Sequence, residues 1–290
     1  MDVSEVLVFL LCGTVTLIFF YRWYKWTFGA WPPQKNRAAK CVFGFLPAVS
    51  FAIIVFTLKR LASFDVVGDM GWVAFYIIIG YAWIYFGLTA MSMFFDISWM
   101  DDALNQKNKA ALICLAGGFI GLTAIYSGAN IGDGPGWWCV IFAGGLGLIA
   151  WILLGLAINA PTKIFERITV GRDISCAIRI GAYFVASGII LARASAGDWT
   201  SFGMTFLEFL DGWPAIVLAA FVVGVEIYYL NPKTKYQSYS KSNFGANVAE
   251  NTLSFSVAIA ILYLAFAIAS VSLLPPLPVN SLYAELAIGA

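Results

Sequence analysis

Residues 109–131 read KAALICLAGGFIGLTAIYSGANI, and only the first of them carries a charge. A helix needs about 20 mostly apolar residues to cross the hydrocarbon core of a bilayer. The stretch Lys109–Ile131 therefore predicts a membrane-spanning helix. It decides the fold class, because further stretches of the same kind lie on both sides of it.

Small residues recur along this stretch at intervals of three and four residues, which places them on one face of a helix. They are Ala110, Cys114, Gly117, Gly121, Ala124 and Gly128. Helices in lipid associate by close backbone packing, and small residues allow it. The favoured interpretation is a contact with another helix of the same chain, and the alternative is a contact with a second copy.

Seven other segments are long and apolar enough to cross a membrane. They are Glu5–Tyr21, Cys41–Leu58, Trp72–Phe95, Trp137–Ile158, Ser175–Ala196, Gly203–Leu230 and Leu253–Leu274. The chain is 61% hydrophobic and 11% charged, whereas soluble domains carry about 25% charged residues. We expect an all-α fold, a polytopic membrane helix bundle of about eight transmembrane helices, forming one transmembrane domain over residues 1–290. Asp96–Lys107 predicts a short amphipathic surface helix.

Positive charge predicts the orientation of the bundle. Thirteen lysines and arginines fall in the loops after the first, third, fifth and seventh spans, and three fall on the other side. Because loops rich in Lys and Arg stay in the cytoplasm, we expect both termini outside the cytoplasm.

Two internal sequence matches at fixed offsets predict helical hairpin repeats. At an offset of 65 residues, Phe119 matches Phe184 and Gly132-Asp133 matches Gly197-Asp198. At an offset of 72, residues 34–39 match residues 106–111. The predicted hairpins cover about 34–96, 106–160 and 171–231, and helices 5–21 and 253–274 flank them. All three hairpins start from the cytoplasm, so they are parallel repeats and not the inverted repeats of many carriers.

Four features follow one another along the chain. They are the motif Asn108-x-Ala-Ala111, a glycine-rich helix, the pair Gly132-Asp133, and a second hairpin with the same ending. In this series of features the chain resembles the YjfL-type family. Members are duplicated bacterial inner-membrane proteins of unknown function, and the resemblance covers roughly residues 101–230. It implies an α-helical fold in the bacterial inner membrane. It implies no activity.

Shifted by 65 residues, the small-residue face lands on the sixth span. It then contains Ser175, Arg179, Ala182, Ala186, Ile189 and Arg193. A charged side chain within a membrane helix is costly and usually finds a partner. We hypothesise that Arg179 pairs with Glu226, and that Arg193 pairs with Glu208 or Asp211. Pro214 should break the seventh span beside these acids, because proline cannot complete the helical hydrogen bonding.

The sequence offers no catalytic, cofactor or metal site. It contains no histidine, no C-x-x-C pair, no H-E-x-x-H, no G-x-S-x-G and no phosphate-binding loop. A net charge of +1 does not produce the strongly positive electrostatic field that attracts nucleic acid. The favoured function is a non-catalytic membrane subunit or scaffold, in contact with lipids and with partner subunits or further copies of itself. A channel or carrier with an acidic outer vestibule at Glu208 and Asp211 is the alternative, and a lipid-modifying enzyme is a third.

Overall fold

The computed structural model describes residues 2–29, 37–230 and 245–274. Within these ranges eight helices are long and apolar enough to cross a membrane, which confirms the predicted fold class. Predictions on residues 30–36 and 231–244, including the lysines expected there and part of the sequence match at residues 34–39, lie outside the described residues.

Most of the spanning helices are longer than the apolar runs that predicted them, whereas the fourth and the sixth end two residues earlier than predicted. The spanning helices are α1 (Val3–Phe28), α2 (Arg37–Arg60), α4 (Met70–Phe94), α5 (Lys109–Ala129), α6 (Trp137–Thr162), α8 (Ile174–Ala194), α9 with α10 (Phe202–Phe209, Pro214–Leu230) and α11 (Gly245–Leu273). Short helices α3 (Phe64–Gly68) and α7 (Ile164–Thr169) lie between them.

The spanning helices form two rows of four. Helices α2, α5, α8 and α11 are successive neighbours in one row, and α1, α4, α6 and α10 are successive neighbours in the other. Hydrogen bonds connect neighbours within each row. Thr123 Oγ1 of α5 donates to Ser50 Oγ of α2 at 3.2 Å, and Thr16 Oγ1 of α1 donates to the Ile78 carbonyl of α4 at 2.9 Å.

Helices α5 and α8 contact each other backbone to backbone. A Cβ added at Gly117 would lie 2.3 Å from the Gly181 carbonyl oxygen, and one added at Gly121 would lie 2.3 Å from that of Phe184. At Gly128 the distance to the Ala192 carbonyl oxygen would be 2.2 Å. The predicted small-residue face is therefore occupied inside the chain.

The other members of that face follow the same pattern, since Ala110 and Cys114 are buried and Ala124 is half-buried. The alternative in which this face joins two copies of the chain is wrong for this fold, because α8 already covers it. The face presented by α8 also differs from the expected one. Gly181, Phe184 and Gly188 approach α5, whereas the arginine-bearing face is turned so that Arg179 reaches α11.

The residues that follow α2, α5 and α8 are joined by backbone hydrogen bonds. Gly132 N donates to the Leu61 carbonyl at 3.2 Å, and Gly197 N donates to the Ile131 carbonyl at 3.0 Å. Both glycines have positive φ angles, +104° and +144°, which glycine adopts readily. These three helices therefore end together and run in the same direction. We call this the Gly132 end of the bundle and the opposite one the Glu226 end.

Two prolines modify the helices without removing them from the bundle. Pro47 has no N–H to donate to the Phe43 carbonyl, and Trp23 Nε1 of α1 donates to that carbonyl at 2.7 Å. Pro214 begins α10 after a 3₁₀ turn at Leu210–Gly212. The predicted break in the seventh span is thus present.

The connection between α4 and α5 differs from the predicted surface helix. It contains a π-helix at Trp99–Asn105 in which Trp99, Asp102 and Leu104 are buried. Trp99 packs against Trp23, with ring centroids 4.7 Å apart. The apolar side chains that suggested an amphipathic surface helix instead insert into the bundle.

We predict that Gly121→Ala destabilises the protein, because its methyl group would meet the backbone of α8 and a backbone cannot move aside as a side chain can. Overpacking costs about 1–3 kcal/mol, and we expect the upper end of this range. The measurement is the thermal unfolding temperature in detergent. Gly145→Ala is the matched control, since a Cβ there would meet no atom within 4 Å. Equal unfolding temperatures for the two variants would contradict the backbone contact.

Candidate functional site

Arg179 and Glu226 meet at the Glu226 end of the bundle. Arg179 Nε lies 2.6 Å from Glu226 Oε1, and its Nη2 lies 2.8 Å from Oε2. This is a two-pronged guanidinium–carboxylate contact, the strongest geometry for such a pair. Both side chains are fully buried. The structure therefore brings together the two residues that the sequence predicts as an inner pair.

A second arginine contacts the same carboxylate. Arg167 Nη1 lies 2.7 Å from Glu226 Oε2, and its Nη2 lies 2.8 Å from Asp173 Oδ2. Sequence reasoning placed Arg167 in a loop and missed this role. The signal was the apolar spacing of Phe165 and Ile168, which are buried and fold α7 back against the bundle.

The network joins four helices, and its described members carry two positive and two negative charges. Arg179 Nη1 donates to Ser256 Oγ of α11 at 2.7 Å, so the contacts join α7, α8, α10 and α11. Two guanidinium groups face two carboxylates. Arg179 is in the second turn of α8, and Glu226 is four residues before the end of α10. The charges thus lie inside a membrane-spanning segment, where they must neutralise each other.

Asp173 connects this network to the start of α8. Its Oδ1 accepts a hydrogen bond from the Cys176 backbone N–H at 2.9 Å, capping the helix. Burial acts to raise the pKa of Asp173, but that N–H and the Arg167 guanidinium outweigh burial, so the pKa lies below its usual value.

A cavity of about 250 Å³ lies at the other end of the bundle, the Gly132 end. Its walls come from α1, α4, α6 and α9 and from the connections that follow α2, α5 and α8. Among α6 residues it reaches from Trp137 to Ala143, about two turns into a helix of 26 residues. The cavity therefore ends short of the middle of that helix.

The cavity wall is acidic. Four carboxylate residues contribute to it, namely Glu5, Asp65, Asp133 and Glu208, and its described lining contains no lysine or arginine. The sequence placed an acidic vestibule at Glu208 and Asp211. Glu208 is part of the wall and Asp211 is not, and both side chains are exposed. The acidic vestibule formed by Glu208 and Asp211 stays a prediction.

Arg193 lies near the end of α8 and is half-buried. Asp211 acts on it electrostatically. Glu208 points toward the neighbouring connection, where its Oε2 would lie 3.8 Å from a Cβ added at Gly197. The predicted pairing of Arg193 with Glu208 or Asp211 stays a prediction.

Three buried polar side chains of α4, α5 and the segment after α8 lack a described hydrogen-bond partner. Ser127 Oγ, Ser195 Oγ and Trp83 Nε1 are buried and have no hydrogen-bond partner among the described residues. Ser195 is 6% exposed and also contributes to the cavity wall. Ser195 Oγ lies against α6, 3.0 Å from where a Cβ on Gly147 would stand, and Gly147 does not line the cavity.

No group of three or more His, Cys, Asp or Glu residues is arranged to hold a metal ion within residues 2–29, 37–230 and 245–274. Comparison of the chain with family models, with curated proteins and with solved structures found no match. The resemblance to YjfL-type proteins therefore stays a prediction.

We predict that Glu226→Gln strongly destabilises the protein. The substitution keeps the shape of the side chain but leaves Arg167 and Arg179 without the charge that both contact. Breaking a buried ion pair costs about 3–5 kcal/mol. Glu166→Gln, on the exposed side of α7, is the matched control and should leave the thermal unfolding temperature unchanged. A similar small shift in both variants would show that the network contributes little.

We predict that the stabilisation from Asp173 disappears in acid. Its pKa is lower in the folded protein than in the unfolded chain, so its contribution is complete above the unfolded value of about 3.9. The contribution is lost as pH falls through the lower folded value. The unfolding temperature of the wild type should exceed that of Asp173→Asn at pH 7, and the difference should shrink below about pH 4. A difference that is constant over this range would contradict the proposed charge contribution.

Proposed function

We propose that this chain is a non-catalytic integral membrane subunit of the bacterial inner membrane. The observation that carries the proposal is the filled centre of the bundle. Helices α5 and α8 leave no room for side chains between Gly117 and Gly181 or between Gly121 and Phe184. A protein that conducts a solute needs a polar path across the bundle, and this contact leaves none between α5 and α8. A scaffold needs a rigid centre, which the contact provides.

The charge distribution at the Glu226 end supports the same proposal. The arginines and acids there neutralise one another at 2.6–2.8 Å. Charges that serve a transport pathway face a water-filled cavity, and neither Arg179 nor Glu226 lines the cavity at the Gly132 end. In this proposal the network fixes the relative positions of α7, α8, α10 and α11.

The outer helices give the subunit its contact surface. In the most apolar 18-residue windows of α1 and α11, 11% and 22% of the residues are buried, against 78% for α5. Lipid tails cover such faces, and so can helices of partner subunits or of further copies. The bias of lysine and arginine favours the Gly132 end outside the cytoplasm, with both termini on that side.

The acidic cavity favours a second candidate function, a channel or carrier with its entrance at Glu208. The cavity opens at one end of the bundle, and its acidic wall would attract cations. The short depth along α6 weighs against this candidate, since a second, inner passage would have to open for any solute to cross.

The experiment is gentle purification from the native membrane, followed by mass spectrometry and a mass measurement of the intact particle. We expect companion subunits or a defined homo-oligomer. Gly13 and Gly224 are helix positions where a Cβ would meet no atom within 4 Å. Gly13→Phe and Gly224→Phe therefore enlarge two different surfaces while keeping the fold. Loss of companions in only one of them locates the contact.

A lone monomer that carries cation flux in reconstituted vesicles would contradict the subunit proposal. Flux that is lost in Glu208→Gln and kept in Asp211→Asn would favour the second candidate, because only Glu208 lines the cavity. A monomer without flux would support neither function.

A further inference from the structure

Charged side chains are distributed unevenly between the two ends of the bundle. Outside the network around Glu226, the side chains that the structure describes at the Glu226 end include eight lysines and arginines and four acids. At the Gly132 end they include three lysines and arginines and eight acids. The Glu226 end therefore presents an excess of positive charge.

The eight basic side chains are not neutralised by described acids. The ion pairs in the described part of the chain join Arg167 and Arg179 to Asp173 and Glu226, and none of them involves one of the eight. Seven of the eight are exposed and one is half-buried. Basic side chains at a membrane surface attract anionic lipid headgroups.

A contact between α5 and α7 brings three of these basic residues onto neighbouring segments. Asn108 Nδ2 donates to the Thr169 carbonyl at 3.1 Å and to the carbonyl of the preceding residue at 2.8 Å. Lys107 and Lys109 flank Asn108 in the chain, and Arg172 follows Thr169 by three residues. The three basic side chains are exposed. We call them the basic cluster.

Most acids in the segments around the basic cluster have other partners. Asp173 pairs with Arg167. Asp101 and Asp102 accept hydrogen bonds from residues in or next to the π-helix, and Glu166 is an exposed acid of α7. None of the three basic side chains donates a hydrogen bond to a described residue. They are therefore open to an anion from outside the chain.

Exposed apolar side chains lie beside the basic cluster. Val170 is 77% exposed and Ile174 is 40% exposed, and they lie on either side of Arg172 in the chain. At the same end of the bundle, the rings of Tyr24 and Phe28 are exposed near the end of α1. Aromatic side chains are typical of the headgroup level of a membrane. A ligand that contacts both basic groups and exposed apolar side chains is a lipid and not a free phosphate ion.

We propose that the basic cluster binds the phosphate group of an anionic phospholipid in the leaflet at the Glu226 end. The phosphate meets Lys107, Lys109 and Arg172, and the acyl chains contact Val170 and Ile174. A zwitterionic lipid binds less well, because the same three cations repel its ammonium group. This inference goes beyond the proposed function, since it assigns a class of ligand that neither candidate function requires.

The test is a titration of the full chain in neutral detergent with phosphatidylglycerol and with phosphatidylcholine of the same acyl chains. Native mass spectrometry measures the lipid-bound fraction at about 0.1 M salt, where surface charges are partly screened. We expect phosphatidylglycerol to bind the wild type about tenfold more tightly. The double variant Lys107→Gln/Arg172→Gln should reduce this preference to about twofold or less.

The matched control is the double variant Arg22→Gln/Lys25→Gln. It removes the same number of exposed positive charges from the same end of the bundle, but on α1 of the other row. We expect it to keep the preference of the wild type. Lys107→Gln/Lys109→Gln is the second cluster variant if Lys107→Gln/Arg172→Gln does not fold.

Three results would overturn the proposal. The first is equal binding of the two lipids by the wild type. The second is an equal loss of preference in the cluster variant and in the α1 variant, which would indicate general attraction to the basic end of the bundle. The third is complete displacement of phosphatidylglycerol by inorganic phosphate, which would indicate a site for a free anion. The subunit proposal survives any of these results, because its test depends on companions and not on lipid selectivity.

Discussion

The backbone contact between α5 and α8 is the constraint on which the rest of the bundle depends. Water does not drive helices together within lipid, so their association depends on van der Waals packing and interhelical hydrogen bonds. Both increase when helices approach closely, and Gly117, Gly121 and Gly128 permit the closest approach available. Trp151 of the other row then packs across the pair and donates to the Phe184 carbonyl at 3.2 Å.

The close contact between α5 and α8 sets the helix spacing in the row of α2, α5, α8 and α11. It also positions the hydrogen-bonded segments at the Gly132 end. The glycine contacts hold α5 and α8 in register, and the segments after them meet as backbone partners. Asp133 N donates to Asp198 Oδ1 at 2.7 Å, and Trp199 N donates to the Asp133 carbonyl at 2.7 Å. The cavity forms directly beside these joined segments. Its shape therefore follows from the helix contact, although none of its four acids belongs to either helix.

The two ends of the bundle differ in how their charged side chains are arranged. At the Glu226 end, two arginines and two acids are close enough to neutralise each other, so burial is tolerated. At the Gly132 end, four acids share a cavity wall that contains no described lysine or arginine. The first arrangement stabilises a fixed structure. The second gathers acids from distant parts of the chain at one end of the bundle.

The sequence by itself determined the membrane location, the eight spans, the break before Pro214 and the partnership of Arg179 with Glu226. These features depend on local composition and on helical periodicity, because the cost of exposing polar groups to lipid applies to each segment separately. It also identified Gly117 and Gly121 as a packing face. It did not identify which face of α8 would meet them, because a rotation of α8 by one residue satisfies the same periodicity.

Only the tertiary structure decided the contents of the two charged sites. Arg167 joins Glu226 because α7 folds back, and Asp65 and Glu5 join Glu208 because the two rows bring α1, α3 and α9 together. Residues so distant in sequence have no shared periodicity that could relate them. Asp211 shows the same limit, since it follows Glu208 by three residues but does not line the cavity that Glu208 lines. Local patterns determine which residues must be buried or paired. The packing of the two rows determines which other residues they contact.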